Sequence, residues 1–414
     1  MIGVSAAGPL GRDMVSDRTT TRPMRRSQAG GDVMAKVAME GDERAAWIAL
    51  AAVPGVGPAG FGALLRRFGS ARSAIRQPAE RVLELLNRPD QATATGLRRL
   101  QRDGAAAIAI ELEDAARRAG GSVVTAFDDG YPGALARVDL RPPVLYVVGS
   151  LSASAPPAVA VVGTRRPSGY GRAMAVEIAD ELARAGVSVI SGLALGVDGA
   201  AHLAALDAGG RTVAVLPSPI DRVYPPRHRG LATRIVEEGG ALISEAPPGR
   251  ASGKPDFARR NRIISGLAEA TVVIEAPDHS GALLTAASAM AQGRDLYALP
   301  GPIDAVTSRG CNRLIADHHA ELVTSATSLV LRLGLHPATG TAVAVASLSE
   351  SEGLVLGSLL KHSGSIEELS GRTDLDTPEL ASALTLLEAR GLVASYGGVT
   401  FHPTLAAKRI GTRS

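Results

Sequence analysis

The sequence predicts an α/β fold, a parallel β-sheet with helices on both faces, preceded by a helical unit and followed by a small helix-and-hairpin unit. Three observations predict it. Short apolar runs recur between Ala158 and Arg313, namely Val159–Gly163, Val187–Gly192, Thr212–Pro217, Ala241–Glu245, Val272–Glu275 and Leu296–Gly301. Helix-length segments fill the gaps, and continuous apolar strands alternating with helices mark a parallel sheet buried on both faces. The runs end in small, hydroxyl-bearing or basic residues, and in such sheets ligands bind beyond the carboxyl ends of the strands.

The 414 residues leave room for two or three domains, and a hydrophobic content of 45% fits a mostly globular chain. No apolar run approaches the ~20 residues needed to cross a bilayer. Arg12, Arg18, Arg22, Arg25 and Arg26 precede no apolar segment, so the start does not read as a secretory signal. The single cysteine, Cys311, excludes an internal disulfide and a multi-cysteine metal site, and a reducing cytoplasm is the simplest compartment. A net charge of +3 permits nucleic-acid binding without arguing for it. Lys36, Lys254, Lys361 and Lys408 are the only lysines. That skew reads as codon bias toward arginine, so only clustered arginines count as evidence.

In chain order, residues 1–40 are polar, Gly- and Arg-bearing and without periodicity, and read as a disordered arm or as sequence upstream of a later start codon. Residues 43–120 read as helical. Trp47, Leu50 and Ala51 share a face, Pro54-Gly55-Val56-Gly57 follows, and Phe61, Leu64, Leu65 and Phe68 mark a second helix. Pro-Gly-x-Gly between short helices resembles a helix-hairpin-helix (SAM-like) module, in which a helix N-terminus offers N–H groups to a phosphate. A plain helical turn is the other reading. The sheet domain spans 122–330, with early strands at Val123–Phe127 and Val144–Val148. Residues 331–348 are Gly/Pro/Ala/Thr-rich and read as a linker. Residues 349–403 read as a winged helix-turn-helix. Ser365 with Glu368 makes a capping box, Pro378 opens the third helix, and a hairpin runs through Gly391–Phe401. That third helix carries Glu379 and Glu388 against a single base, Arg390, so contact with protein is at least as good a reading as contact with DNA.

Four segments carry the chemistry. Gly163-Thr164-Arg165-Arg166-Pro-Ser-Gly169-Tyr-Gly171 follows a strand and opens a helix, where N–H groups and the helix dipole suit an anion. Its spacing is neither G-x-G-x-x-G nor a P-loop, which disfavours dinucleotide binding and P-loop hydrolysis. Phe257-Ala-Arg259-Arg260-Asn261-Arg262 sets three arginines and a ring within six residues. Guanidinium groups pair with phosphates and a ring stacks on a base. Alternatively, one or two of these arginines hold Glu245 or Glu275 in internal ion pairs. Asp278-His279-Ser280-Gly281 leads into a helix carrying Thr285, and Thr307-Ser308-Arg309-Gly310 follows a later strand on the expected same edge. His202, His228, His318 and His319 lack a metal-ligand spacing, so no metal and no cofactor are expected.

Taken in order, Val-Gly-Thr-Arg165, Ser191-Gly192-Leu-Ala-x-Gly196-Val-Asp198-x-x-Ala-His202, Phe257-x-x-Arg259-Arg-Asn-Arg-Ile-Ile-Ser-Gly266, Ser280-Gly281-x-Leu-x-Thr285 and Thr307-Ser-Arg309-Gly-x-Asn312 closely resemble the DNA-processing protein DprA (Smf) family over residues 43–403. The resemblance implies an extended Rossmann-like domain and a cytoplasmic homodimer. It implies binding of single-stranded DNA in natural transformation and recombination, protection of incoming strands and loading of the recombinase RecA. By the same resemblance Arg165 and Arg259–Arg262 grip phosphates and Phe257 lies beside a base. Gly163, Ser191, Gly192, Ser280, Gly281 and Thr285 then shape the pocket floor. Leu195, Ala258, Cys311 and Leu216-Pro-Ser-Pro-Ile220 depart from the family pattern. The expectation is a binding protein without catalysis. The alternative is a nucleotide-binding enzyme or receptor of the same fold superfamily, for which Glu245 and Glu275 are the candidate acids. The Pro-Gly-Gly-x-Gly-Thr-x-x-Glu run of phosphoribohydrolases is absent.

Overall fold

The computed structural model describes residues 41–335, 348–390, 392–396 and 400–403. The arm at 1–40, most of the linker and the tip of the wing lie outside them.

The helical unit runs α1 (41–51), α2 (Pro58–Phe68), α3 (Ala71–Ile75), α4 (Ala79–Leu83), α5 (Gln91–Asp103) and α6 (Ala105–Arg118). Leu50, Phe61, Leu64, Leu97 and Leu100 fill its core, with Trp47 edge-on to Phe61 at 4.8 Å. Between α1 and α2, Gly55 has φ +82°, which only glycine adopts without strain. A side chain there would also meet Thr93.

A nine-stranded sheet follows. Its strands are β1 (Gly121–Thr125), β2 (Val144–Gly149), β3 (Ala158–Val162), β4 (Ser188–Ser191), β5 (Thr212–Leu216), β6 (Ala241–Ser244), β7 (Ala270–Val273), β8 (Asp295–Ala298) and β9 (Glu321–Leu322). The order is β1-β2-β6-β5-β4-β3-β7-β8-β9. From β6 to β9 every pairing is parallel, while β2 joins β6 antiparallel and β1 joins β2 antiparallel. The strand order reverses at β3, so β3 and β7 bound the topological switch point where such sheets bind ligands.

Helices α7 (Gly133–Ala136), α8 (Gly169–Arg184), α9 (Val197–Asp207), α10 (Arg229–Glu237), α11 (Lys254–Leu267), α12 (Gly281–Ala291), α13 (Arg309–Ala316) and α14 (Ala326–Arg332) pack around the sheet. One face holds α11, α12 and α13 over Ala160, Val162, Ile190 and Val273; the other holds α8, α9 and α14 over Val159, Val161 and Val272. Leu329 and Val330 are fully buried, and Leu333 and Leu335 pack on the same core. The sheet domain therefore continues to Leu335, beyond the expected boundary at 330.

The helical unit sits on the antiparallel extension. Ile48, Ala109 and Ala116 share a core with Val123, Val144 and Tyr146. Arg44 clamps the junction, reaching Glu113, Asp128 at 3.0 Å and the Val123 carbonyl at 2.9 Å.

The last unit is α15 (Glu350–Lys361), β10 (Gly364–Ser365), α16 (Ile366–Thr373), α17 (Thr377–Ala389), β11 (Val393–Tyr396) and β12 (Thr400–Pro403). Ser365 and Glu368 form the expected capping box. β10 adds a third strand to the expected hairpin, in the order β10-β12-β11. It is two residues long, too short for periodicity to reveal.

Candidate nucleic-acid interface

A cavity of about 320 Å³ opens at the switch point, walled by the β3–α8 turn, the first turns of α11 and α12, and Asp198. It brings together Gly163, Thr164, Arg165, Phe257, Arg260, Asn261, Ser280, Gly281 and Thr285. Residues expected on three separated turns thus meet at one sheet edge.

Two turns form its base by interlocking. Gly196 has φ +87°, and a Cβ there would clash with the Thr164 carbonyl. That carbonyl accepts the Val197 N–H at 3.2 Å, and Gly163 faces Val197 so closely that a side chain has no room. The Asp198 carboxylate accepts the N–H groups of Gly192 and Ala194 at 3.2 and 3.4 Å. Burial raises its pKa, opposed by nearby Arg260 and by these two N–H donors.

Leu193, in left-handed conformation at φ +56°, donates its N–H to His202 Nε2 at 3.3 Å. His202 Nδ1 meets Thr212 Oγ1 at 2.7 Å, and that hydroxyl donates to the Val189 carbonyl. The chain of donors fixes a neutral imidazole protonated on Nδ1. Burial, then His228 and Arg260, push its pKa down to about 3.

The β3–α8 turn differs from expectation. Glu275, 2% exposed, accepts the Ser168 N–H at 2.8 Å, and its carbonyl accepts the Thr164 N–H at 2.7 Å. Its carboxylate lies against Gly171 in the first turn of α8. That helix N-terminus is therefore already supplied with an internal anion. The cavity wall is completed by Arg165 and the first turn of α12, where Ser280 caps Ala282 and Asn261 Nδ2 donates to the Gly281 carbonyl at 3.1 Å, while Arg166 is exposed outside the lining.

The arginine run also divides. Arg260 is 6% exposed, and its guanidinium donates to the carbonyls of Gly192 and Val215. Burial lowers its pKa to about 10 against the pull of Asp198. Arg262 makes two 2.6 Å bonds to Glu245 and reaches the Leu140 carbonyl. Arg262 is committed to internal acceptors, and Arg260 spends Nη1 on two carbonyls while its Nε, buried at the cavity wall, has no partner, so the run does not act as a uniform set of phosphate-gripping cations. Arg259 is exposed but shares Asp256 with Arg250. Burial works against the Asp256 charge, yet the Gly253 N–H, Arg250 and Arg259 hold its pKa below the usual carboxylate value. Ser191 is fully buried and donates to the Val161 carbonyl at 2.6 Å, so it pins β4 to β3 and does not line the cavity. Arg309 is exposed at the start of α13, outside the cavity wall, where Gly310 N–H bonds the Ala276 carbonyl.

Arg165 and Arg166 are exposed and have no ion-pair partner among the described residues. The Arg165 guanidinium lies 5.0 Å from the centroid of the half-buried Phe257 ring. Tyr224, which no sequence motif singled out, meets the same ring at 5.5 Å and 83°. Nothing in the local sequence around Tyr224-Pro225-Pro226 marks it, because its place depends on a contact 33 positions away.

A family model described as DNA recombination-mediator protein A matches residues 122–334, and one described as a DprA-like N-terminal HHH domain matches residues 41–115. The putative DNA processing protein DprA of Mycobacterium tuberculosis is 39% identical over 374 residues, covering 85% of this chain and 92% of that protein. Protein Smf of Escherichia coli is 37% identical over 284 residues, covering 67% and 76%. The X-ray structure of DNA processing protein A from Streptococcus pneumoniae aligns with a TM-score of 0.57 and 31% identity, over 67% of this chain and 93% of that one.

Proposed function

The chain belongs to the DNA recombination-mediator protein A family, and from that premise we propose that it binds single-stranded DNA at the switch-point cavity. In this reading it protects incoming strands and loads the recombinase RecA onto them during DNA uptake, acting as a cytoplasmic homodimer. The RecA and dimer parts rest on family membership. Among the described residues no helix is long and apolar enough to cross a membrane.

The single observation that carries DNA binding is the exposed Arg165, without a salt bridge among the described residues, on the Phe257 ring at the mouth of the cavity. A cation–π contact at an exposed site contributes about 0.5–1 kcal/mol. A charge-assisted hydrogen bond contributes about 1.5–3 kcal/mol. An arriving phosphate therefore outcompetes the ring for the guanidinium. Arg166 adds a second exposed cation, and a base then has access to Phe257. Binding without catalysis is favoured by where the candidate acids are spent. Glu245 is paired with Arg262, and Glu275 is closed against α8.

Fluorescence anisotropy with single-stranded DNA, duplex DNA and mononucleotides tests the reading. Single strands should bind tightest. Two or three neutralised phosphates give a log–log salt slope of roughly −1.4 to −2, at about −0.7 each. Arg165→Glu should weaken all sequences alike and flatten that slope. Preference for mononucleotides, with their turnover, would instead support the phosphoribohydrolase-like enzyme. Sedimentation mass and retention of RecA on protein-bound strands test the two family-derived parts.

A further inference from the structure

Beside Phe257 lies a second slot, walled by Leu195, Pro217, Tyr224 and Pro225, that shares Phe257 and Arg165 with the main cavity. Resting on the single-strand reading, we infer that this slot is a subsite for an unpaired nucleobase, stacked on the ring of Tyr224.

The ring with an open face is Tyr224. It is 45% exposed, whereas Phe257 is half-buried between Arg165 and Tyr224. Phe257 thus backs Tyr224 edge to face, a contact that fixes the orientation of an exposed ring. The chain has 5 Phe, 1 Trp and 6 Tyr in 414 residues, so two of these few rings meet beside an exposed cation.

The slot's own chemistry selects its occupant. Leu195, 37% exposed, and two prolines offer no donor to a phosphate or a sugar hydroxyl. Arg260 also borders the slot, but it is buried and its Nη1 donates inward to the Gly192 and Val215 carbonyls. A flat apolar face suits a base, and every base has a π-face, so stacking there is tolerant of sequence. Bases within a duplex are already stacked on both faces, so the slot admits only unpaired ones. Arg165 borders both the slot and the main cavity. It therefore stands where the phosphate between a base in the slot and the next nucleotide in the cavity would lie.

The test compares a 12-mer of deoxythymidylate with an abasic 12-mer of the same charge, titrated against wild type, Tyr224→Ala, Tyr224→Phe and Arg165→Glu. Tyr224→Ala should weaken binding of the thymidylate oligomer about 5- to 100-fold. It should leave the abasic oligomer and the salt slope nearly unchanged, while Tyr224→Phe retains wild-type behaviour. Arg165→Glu should weaken both oligomers. Equal losses on both oligomers for Tyr224→Ala would make the ring a structural prop and overturn the subsite. Unchanged thymidylate affinity in Tyr224→Ala would overturn it too. Wild type binding neither oligomer is the separate outcome in which the single-strand reading itself fails, and the subsite with it.

Discussion

At the scale of single residues, two arginines at the same cavity, from separate motifs, have opposite tasks. Arg260 is a buried donor to two carbonyls, and Arg165 is an exposed cation without a salt bridge among the described residues. Removing a buried donor leaves acceptors unsatisfied, at about 1–3 kcal/mol each. Arg260→Ala should therefore cost about 2–5 kcal/mol of stability in urea unfolding, with binding lost in step with folding. Arg165→Glu should keep the unfolding midpoint and lose DNA affinity. An Arg260→Ala protein of wild-type stability and reduced affinity would return that residue to the phosphate-binding set. The sequence could list Arg260 and Arg262 but not sort them from the exposed arginines, because their acceptors sit 17 to 122 positions away.

Among the elements, the β4–α9 loop shapes the floor of the cavity, and its form depends on the state of one imidazole. His202 must be neutral to accept the Leu193 N–H, and its folded pKa is about 3 against an ordinary 6.5. Between those values the unfolded chain binds more protons than the folded one. The contribution of this group to stability therefore falls as pH falls through that window. Asp198, whose pKa is raised, works in the opposite sense. Comparison with His202→Gln isolates the imidazole. The stability advantage of wild type over that variant should shrink from pH 7 to pH 4 in denaturant unfolding. A gap that stays constant over that range would mean His202 is not held neutral by the fold.

For the whole molecule, the pocket, its supporting loops and the core beneath them all lie before residue 336. Truncation after Leu335 should leave a folded protein that binds single strands with near wild-type affinity. Truncation after Val330 removes the end of α14 together with Leu333 and Leu335, which pack on the core, and should lower the melting temperature. Loss of single-strand binding in the longer form would assign the winged helix a direct part. The exposed face of α17 gives no reason to expect one. Glu379, Ser382, Thr385, Leu386 and Glu388 are all exposed there, with no base among them.

The α/β class was legible in the sequence itself, since it follows from local periodicity, caps and glycines. Ser365 capping α16, Pro378 opening α17 and the buried run Ala158–Val162 are each decided within a few residues. Tertiary structure decided the rest. The antiparallel seating of β2 on β6 was not legible, because strand direction depends on partners far along the chain. Neither was the capture of the α8 N-terminus by Glu275, nor the meeting of Tyr224 with Phe257. A residue's type and spacing set what chemistry it can do. Only the fold sets whether its charge or ring has already been used by a neighbour, and so which of the candidates remain open to a ligand.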